Sequence, residues 1–265
     1  MDSKVVVLDE SGKQKGHAIL SVGGFVADLA DLSVIERRWG ETKTNLGLDP
    51  DRPVKYSGDW PDRSKRTALI AAIGQFPIGG VIALLEDDRA KLTRLNPTTR
   101  SDRYLQLPAF EWVLQRVAQG FYLRQARGPH LVLFDQRSDL SKFEERYAQV
   151  FDKAWVFAGN TVPSLATRGF SRTLAGAGRG PLVEIADMMT SGMSRWATVR
   201  CAAQKGGTVP ELDELNQTCA ALAPLFPASG ASIPPRRQGF SIVAHAKNKP
   251  GLLRPNVDRW IQELL

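Results

Sequence analysis

The sequence predicts a mixed α/β sheet flanked by helices, and three observations predict it. Short apolar runs recur at Val5–Leu8, Ile78–Leu85 and His130–Phe134, the length and composition of buried strands. Longer segments between and after them repeat their apolar residues every three or four positions, as amphipathic helices do. The chain also opens with two β-rich stretches separated by the turn-like Ser11-Gly12-Lys13-Gln14-Lys15-Gly16. Hairpin, helices, strand, helix, strand, helix, strand, helix is the order of a mixed sheet covered by helices.

Lys4 to Leu8 and His17 to Val26 make the opening hairpin, with Asp9 and Glu10 just before its turn. Asp28 to Leu46 is helical, carrying Leu32, Ile35 and Trp39 on one face. Pro50, Pro53, Gly58 and Pro61 make Asp49 to Asp62 a loop. Arg63 to Gln75 is a helix with Leu69, Ile70 and Ile73 as core contacts, and Ile78 to Leu85 a strand. Asp87 to Arg103 is polar, a loop or short lid. Pro108 suits a first helical turn, and Phe110, Val113, Leu114, Val117 and Phe121 stripe the helix after it. His130 to Phe134 is a second central strand, Leu140 to Val156 a helix and Thr161 to Ala166 the last sheet strand. Leu182, Ile185, Met189, Met193 and Trp196 mark one face of a helix reaching about Gln204, and Glu211 to Ala223 is helical too. From Pro224 the chain reads as irregular, with one strand at Gly239 to Ala244. The division predicted is an α/β domain over 1–223 and a C-terminal extension, 224–265, packed on or beside it.

Cys201 and Cys219 are too few for a disulfide framework or a cysteine zinc site, and His17, His130 and His245 are too scattered for a histidine one. The absence of an apolar signal core or a membrane-length apolar stretch predicts a cytoplasmic protein with no membrane partner. With 35 Lys and Arg against 28 Asp and Glu, the net charge is +7 and the pI about 9.6, a balance that favours a phosphate-bearing partner.

Against that basic background, the acids are the informative residues. Asp9 and Glu10 close the run Val5-Val6-Val7-Leu8, and Asp135 closes His130-Leu131-Val132-Leu133-Phe134. If those strands are neighbours and parallel, the two aspartates end side by side at the carboxyl edge of the sheet, where open α/β sheets place their crevices. Their mutual repulsion is relieved by Mg²⁺ or Mn²⁺, hard cations that prefer carboxylate oxygen. Asp187 falls at the border of a helix's apolar stripe, amid Ile185, Ala186, Met188 and Met189, where a residue of poor helix propensity needs a reason. Glu184 lies one turn earlier, and Glu111 holds a similar border position on its own helix, so both are further candidate metal ligands. Each acid alone also suits a plainer role: a polar turn for Asp9 and Glu10, an arginine partner for Asp135, a cap or ion pair for Asp187, a surface position for Glu111.

Five short segments stand in one order: Leu8-Asp9-Glu10-Ser11-Gly12, Phe25-Val26, Val54-Lys55-Tyr56-Ser57, Leu133-Phe134-Asp135 and Leu182-Val183-Glu184-Ile185-Ala186-Asp187-Met188. Together they resemble the signature of the family catalogued as domain of unknown function 3800, over about Val5 to Arg195. Glu184 stands where that family more often has glutamine, and Pro53 where an acid is common. The resemblance implies a ribonuclease H-like mixed sheet with an opening antiparallel hairpin. It also implies catalytic roles around divalent metal for Asp9, Asp135 and Asp187, with Glu10 joining them where the chain bends. Lys55 would contact the scissile phosphate, and Tyr56 and Trp60 would stack on bases or simply pack in a loop. The function expected is metal-dependent phosphodiester hydrolysis of DNA or RNA. The alternative is a non-catalytic nucleic-acid-binding module, or a defence- or toxin-system component, whose basic tail (Arg236, Arg237, Lys247, Lys249, Arg254 and Arg259) matters more than its acids. A nucleotide-using actin-like enzyme ranks lower, since no Gly-rich phosphate loop follows the first strand.

Overall fold

The computed structural model describes residues 3–11, 19–57, 61–86, 112–118, 129–135, 148–149, 151–157, 160–175, 180–226, 240–244 and 253–265, and within them a few side chains, that of Asp135 included, fall outside the description. Eight strands are described: β1 (Lys4–Ser11), β2 (Ile19–Asp28), β3 (Ile78–Glu86), β4 (His130–Asp135), β5 (Trp155–Phe157), β6 (Asn160–Val162), β7 (Phe170–Ala175) and β8 (Phe240–Ala244). Six of them form one sheet in the order β7-β4-β1-β2-β3-β8. β1 and β2 are antiparallel from Lys4↔Asp28 to Ser11↔Ser21, and β2 and β3 are antiparallel too. The pairs β1–β4, β4–β7 and β3–β8 are parallel, so β2 alone among these six runs against the others. The sheet is thus mixed and opens with an antiparallel hairpin, as expected of a ribonuclease H-like fold.

The central strands read as unbroken apolar runs because both of their faces are covered. Val5 and Val7 of β1 enter the core on one face, and Val6 and Leu8 enter a second core on the other. The second core is closed by a helical segment, 112–118, through Val113, Leu114 and Val117. Helices α1 (Leu32–Asn45), α2 (Arg63–Ile73), α3 (Pro181–Gln204), α4 (Leu212–Leu222) and α5 (Leu253–Gln262) contribute to the first. Trp39 of α1 and Trp196 of α3 are both wholly buried there. Burial of one such large apolar side chain contributes about 1.5–3 kcal/mol.

α3 lies against β1 and β2 and also meets α1, α2, α4 and α5. Gly180 caps it and Pro181 stands in its first turn, where a missing N–H leaves no bond unmade. Gly24 lets it approach: a Cβ there would lie 2.0 Å from the Val7 carbonyl oxygen and 3.2 Å from Ala186 Cβ. Ala186 is thereby seated on the β1–β2 backbone, and its neighbour Asp187 is carried to the sheet surface. At α2, Asp62 caps the helix by accepting the Lys65 N–H, a bond that holds its carboxyl below the usual range.

The structure departs from the sequence expectations in three places. Residues 155–157 are strand, so the helix expected to run to Val156 ends before them. Residues 160–162 belong to the small β5–β6 hairpin, and the last strand on that edge of the main sheet is β7. The tail is not irregular around its one expected strand, which is β8 beside β3: a helix, α5, ends the chain described and brings Val257, Trp260 and Ile261 into the first core. The expectations for the turn 12–16, the segment Asp87 to Arg103, Phe110 and Phe121 and residues 140–147 lie outside the described residues.

Candidate metal-binding site at the sheet edge

The β1–β4 register runs from Val5↔Leu131 to Leu8↔Phe134, and the next position on each strand is Asp9 and Asp135. Asp135 therefore ends β4 beside Asp9, which stands two residues before the end of the adjacent, parallel β1, at one edge of the sheet. Strand pleating sorts β1 further, because successive residues face opposite sides. Asp9 and Ser11 continue the Val5–Val7 side that α3 covers, whereas Glu10 continues the Val6–Leu8 side. β1 is regular through Ser11, with Glu10 paired to Val22, so no bend turns Glu10 toward Asp9. Both acids are buried, and the Asp9 carboxylate accepts the Glu10 N–H at 2.8 Å.

Asp187 reaches this edge from the second turn of α3, half-buried. Its Oδ2 accepts the Tyr56 N–H at 2.9 Å, and its Oδ1 accepts the Ser191 hydroxyl at 2.9 Å. Ser191 Oγ in turn lies 3.0 Å from Ser11 Oγ, two residues beyond Asp9 on β1. Two serines thus tie the helix carboxylate to the strand end. These two donors are neutral, and they fix the direction of the Asp187 carboxylate.

The backbone bond to Asp187 also places Lys55. Residues 50–57 form an irregular strap between α1 and α2, and Lys55 stands exposed beside Tyr56. Tyr56 is an anchor in this strap: a Cβ at Gly192 of α3 would lie 3.5 Å from its Cε2, in ordinary contact with the ring. Arg66 donates to the Tyr56 carbonyl at 3.1 Å, and its guanidinium is 6.0 Å from the ring centroid. Burial pushes the Tyr56 phenol up to about 12, with the arginines around it acting in the opposite direction.

Glu184 sits one turn before Asp187 and faces different company. Its Oε2 accepts the Trp39 indole N–H at 2.8 Å and lies 3.3 Å from the Lys43 ammonium. Lys43, 1 % exposed, also donates to the carbonyls of Pro50 and Arg52, both at 2.7 Å. Lys43 and Ser191 were not singled out by sequence reasoning, which read Trp39 only as part of a helix face and Ser11 only as part of the opening motif. Lys43 had a visible signal, for it extends the stripe Ile35–Trp39 by another four residues and so puts a charge on the apolar face of α1.

Glu111 and Trp60 lie outside the described residues, as do Arg236, Arg237, Lys247 and Lys249 of the basic tail. Among the described side chains, of which that of Asp135 is not one, no three of His, Cys, Asp or Glu group closely enough to hold a metal. No helix among them is long and apolar enough to cross a membrane.

No protein-family model matches the chain, and no curated protein matches it in sequence. Among solved structures, it is similar to one described as the PCNA:RNase HII complex from Archaeoglobus fulgidus, at 12 % identity and a TM-score of 0.43, over 84 % of this chain and 90 % of that one. It is also similar to the ribonuclease H2 of Pyrococcus horikoshii OT3, at 13 % identity and a TM-score of 0.43, over 82 % and 85 % of the two chains. Neither match carries a residue role over to this chain.

Proposed function

We propose that the protein is a divalent-metal-dependent nuclease of the kind its resemblance to the domain-of-unknown-function 3800 family implies. The observation that carries this reading is the convergence of three chain segments on one sheet edge: Asp9 and Asp135 follow the Leu8↔Phe134 pair of β1 and β4, and Asp187 is bonded through Ser191 to Ser11. The donor set is all hard oxygen, which fits Mg²⁺ or Mn²⁺. Asp9, Asp135 and Asp187 would hold the ion. Such an ion, when bound, lowers the pKa of water and stabilises the leaving oxygen in phosphodiester hydrolysis.

The chain's own residues do the rest. Tyr56 N–H and Ser191 fix the direction of the Asp187 carboxylate. Lys55, exposed next to that bond, offers a positive charge to a substrate phosphate. Glu10 is placed on the opposite side of β1, which supports a supporting role in that second core over a ligand role. Glu184 is engaged by Trp39 and Lys43, so its role is structural in this reading.

The test is cleavage of DNA, RNA and hybrid substrates in Mg²⁺ or Mn²⁺ by the full chain and by Asp9→Asn, Asp135→Asn and Asp187→Asn. Each variant should lose about 100-fold or more in rate, equivalent to ~3 kcal/mol of transition-state stabilisation, with its circular dichroism unchanged. Full activity in Asp9→Asn and Asp187→Asn would sink the assignment. Binding of nucleic acid that persists in all three and weakens steeply with salt, with no cleavage by the parent, would favour the non-catalytic module.

A further inference from the structure

We infer that the buried Lys43–Glu184 pair is a positioning device that holds the 50–57 strap against α3, so that the Tyr56 N–H keeps the Asp187 carboxylate in place. The inference rests on the reading of Asp187 as a metal ligand and adds the residues that set its orientation. Three observations lead to it. An ammonium has three N–H donors, and Lys43 has three acceptors: Pro50 O, Arg52 O and Glu184 Oε2. Two of those three belong to the strap. The strap itself has no helix or strand to hold its backbone, and its Asp51 and Arg52 amides turn back on Asp49.

The anchors form a pattern. Near its start the strap is fastened through Lys43 to Glu184, and near its end through its own Tyr56 N–H to Asp187. Those two acids lie three residues apart on α3, a rise of about 4.5 Å. Both ends of the strap are therefore referred to one turn of one helix, and Lys55 is presented between them. The Trp39 indole fixes the Glu184 oxygen that Lys43 meets. A buried ion pair contributes little to net stability compared with apolar residues of the same shape. Geometry is what this one supplies, because an apolar side chain at position 43 has nothing to offer the Pro50 and Arg52 carbonyls.

The test reads the strap and the ion site separately, on the full chain. Hydrogen exchange at the Tyr56 amide reports the strap, and titration with Mn²⁺ alone, followed calorimetrically, reports the site. In Lys43→Met/Glu184→Gln the Gln keeps the Trp39 bond while both strap carbonyls lose their donor. Tyr56 exchange should rise about tenfold or more relative to amides of β1, and the Mn²⁺ dissociation constant should rise about tenfold. Glu184→Gln alone should leave both within about threefold, since even an uncharged Lys43 amine keeps two N–H donors for the two carbonyls. Lys43→Met/Glu184→Leu repeats the measurement with an all-apolar replacement should the first double variant fail to fold. Unchanged Tyr56 protection in a folded double variant overturns the device. So does a Glu184→Gln variant that behaves like the double one. Faster Tyr56 exchange with unchanged Mn²⁺ affinity, or no Mn²⁺ binding by the parent, overturns the ligand reading of Asp187 and leaves the strap anchor standing.

Discussion

Glu184 and Asp187 are carboxylates one turn apart on α3, yet the regions they face use them in opposite ways. On the α1 side, Glu184 meets an ammonium and an indole N–H and is shut away at 4 % exposure. On the strap side, Asp187 meets an amide and a hydroxyl and stays half-buried. An acid neutralised by a buried cation is committed to the fold. One oriented by an amide and a hydroxyl is aimed, and in the proposed reading it serves an ion arriving from outside.

Lys43→Met alone should break the α1 side most severely, because it leaves the Glu184 carboxylate buried without its cation. Chemical denaturation should show a loss of about 3–5 kcal/mol, larger than that of the double variants in which position 184 is neutral. A loss below about 1 kcal/mol would mean that the two regions do not differ as described. On the strap side, pH gives the next largest effect. Burial raises the Tyr56 phenol to about 12, while in the unfolded chain it ionises near 10.0. The neutral phenol therefore favours the folded state below pH ~10, and that contribution fades as pH rises from about 10 to about 12. Relative to Tyr56→Phe, the parent should lose roughly 2 kcal/mol between pH 9 and pH 12, at ~1.4 kcal/mol per unit. A stability difference that stays flat with pH would show that the ring is wet.

The smallest expected effect sharpens the comparison most. Asp187→Asn should change stability by less than about 1 kcal/mol, because the Asn oxygen can accept the Tyr56 N–H while its amide donates to Ser191. A residue whose removal abolishes cleavage but barely moves the denaturation midpoint belongs to function. If Asp187→Asn proves as damaging to the fold as Lys43→Met, both acids are structural and the distinction between the turns disappears.

The backbone parts of the site were legible in the sequence. The valine and leucine runs before Asp9 and Asp135 were strong enough to place both strands, and the stripe from Leu182 to Trp196 placed α3. Both cover buried elements whose pattern comes directly from packing on two faces. β7 escaped notice because an edge strand carries polar residues on its outer side, and Ser171 and Arg172 are exposed. α5 escaped for a related reason: Pro255 and the charges around it mask the spacing of Val257, Trp260 and Ile261. Glu184 was visible as an acid near the site, but its partner was not. That required knowing that α1 packs against α3, a contact between residues 141 positions apart.

Sequence distance has one more consequence, in the order of assembly. The β1–β2 pair is built from near neighbours, Ser11↔Ser21 to Lys4↔Asp28, and can close early. The bonds that complete the acidic edge span 180 residues from Ser11 to Ser191 and 131 from Tyr56 to Asp187. Contacts of that range form late, after the entropy of closing long loops has been overcome. A nascent or partly folded chain therefore carries the acids but not their cluster. In the proposed reading the fold itself acts as a safety catch, with the cutting edge formed only once α3 has docked.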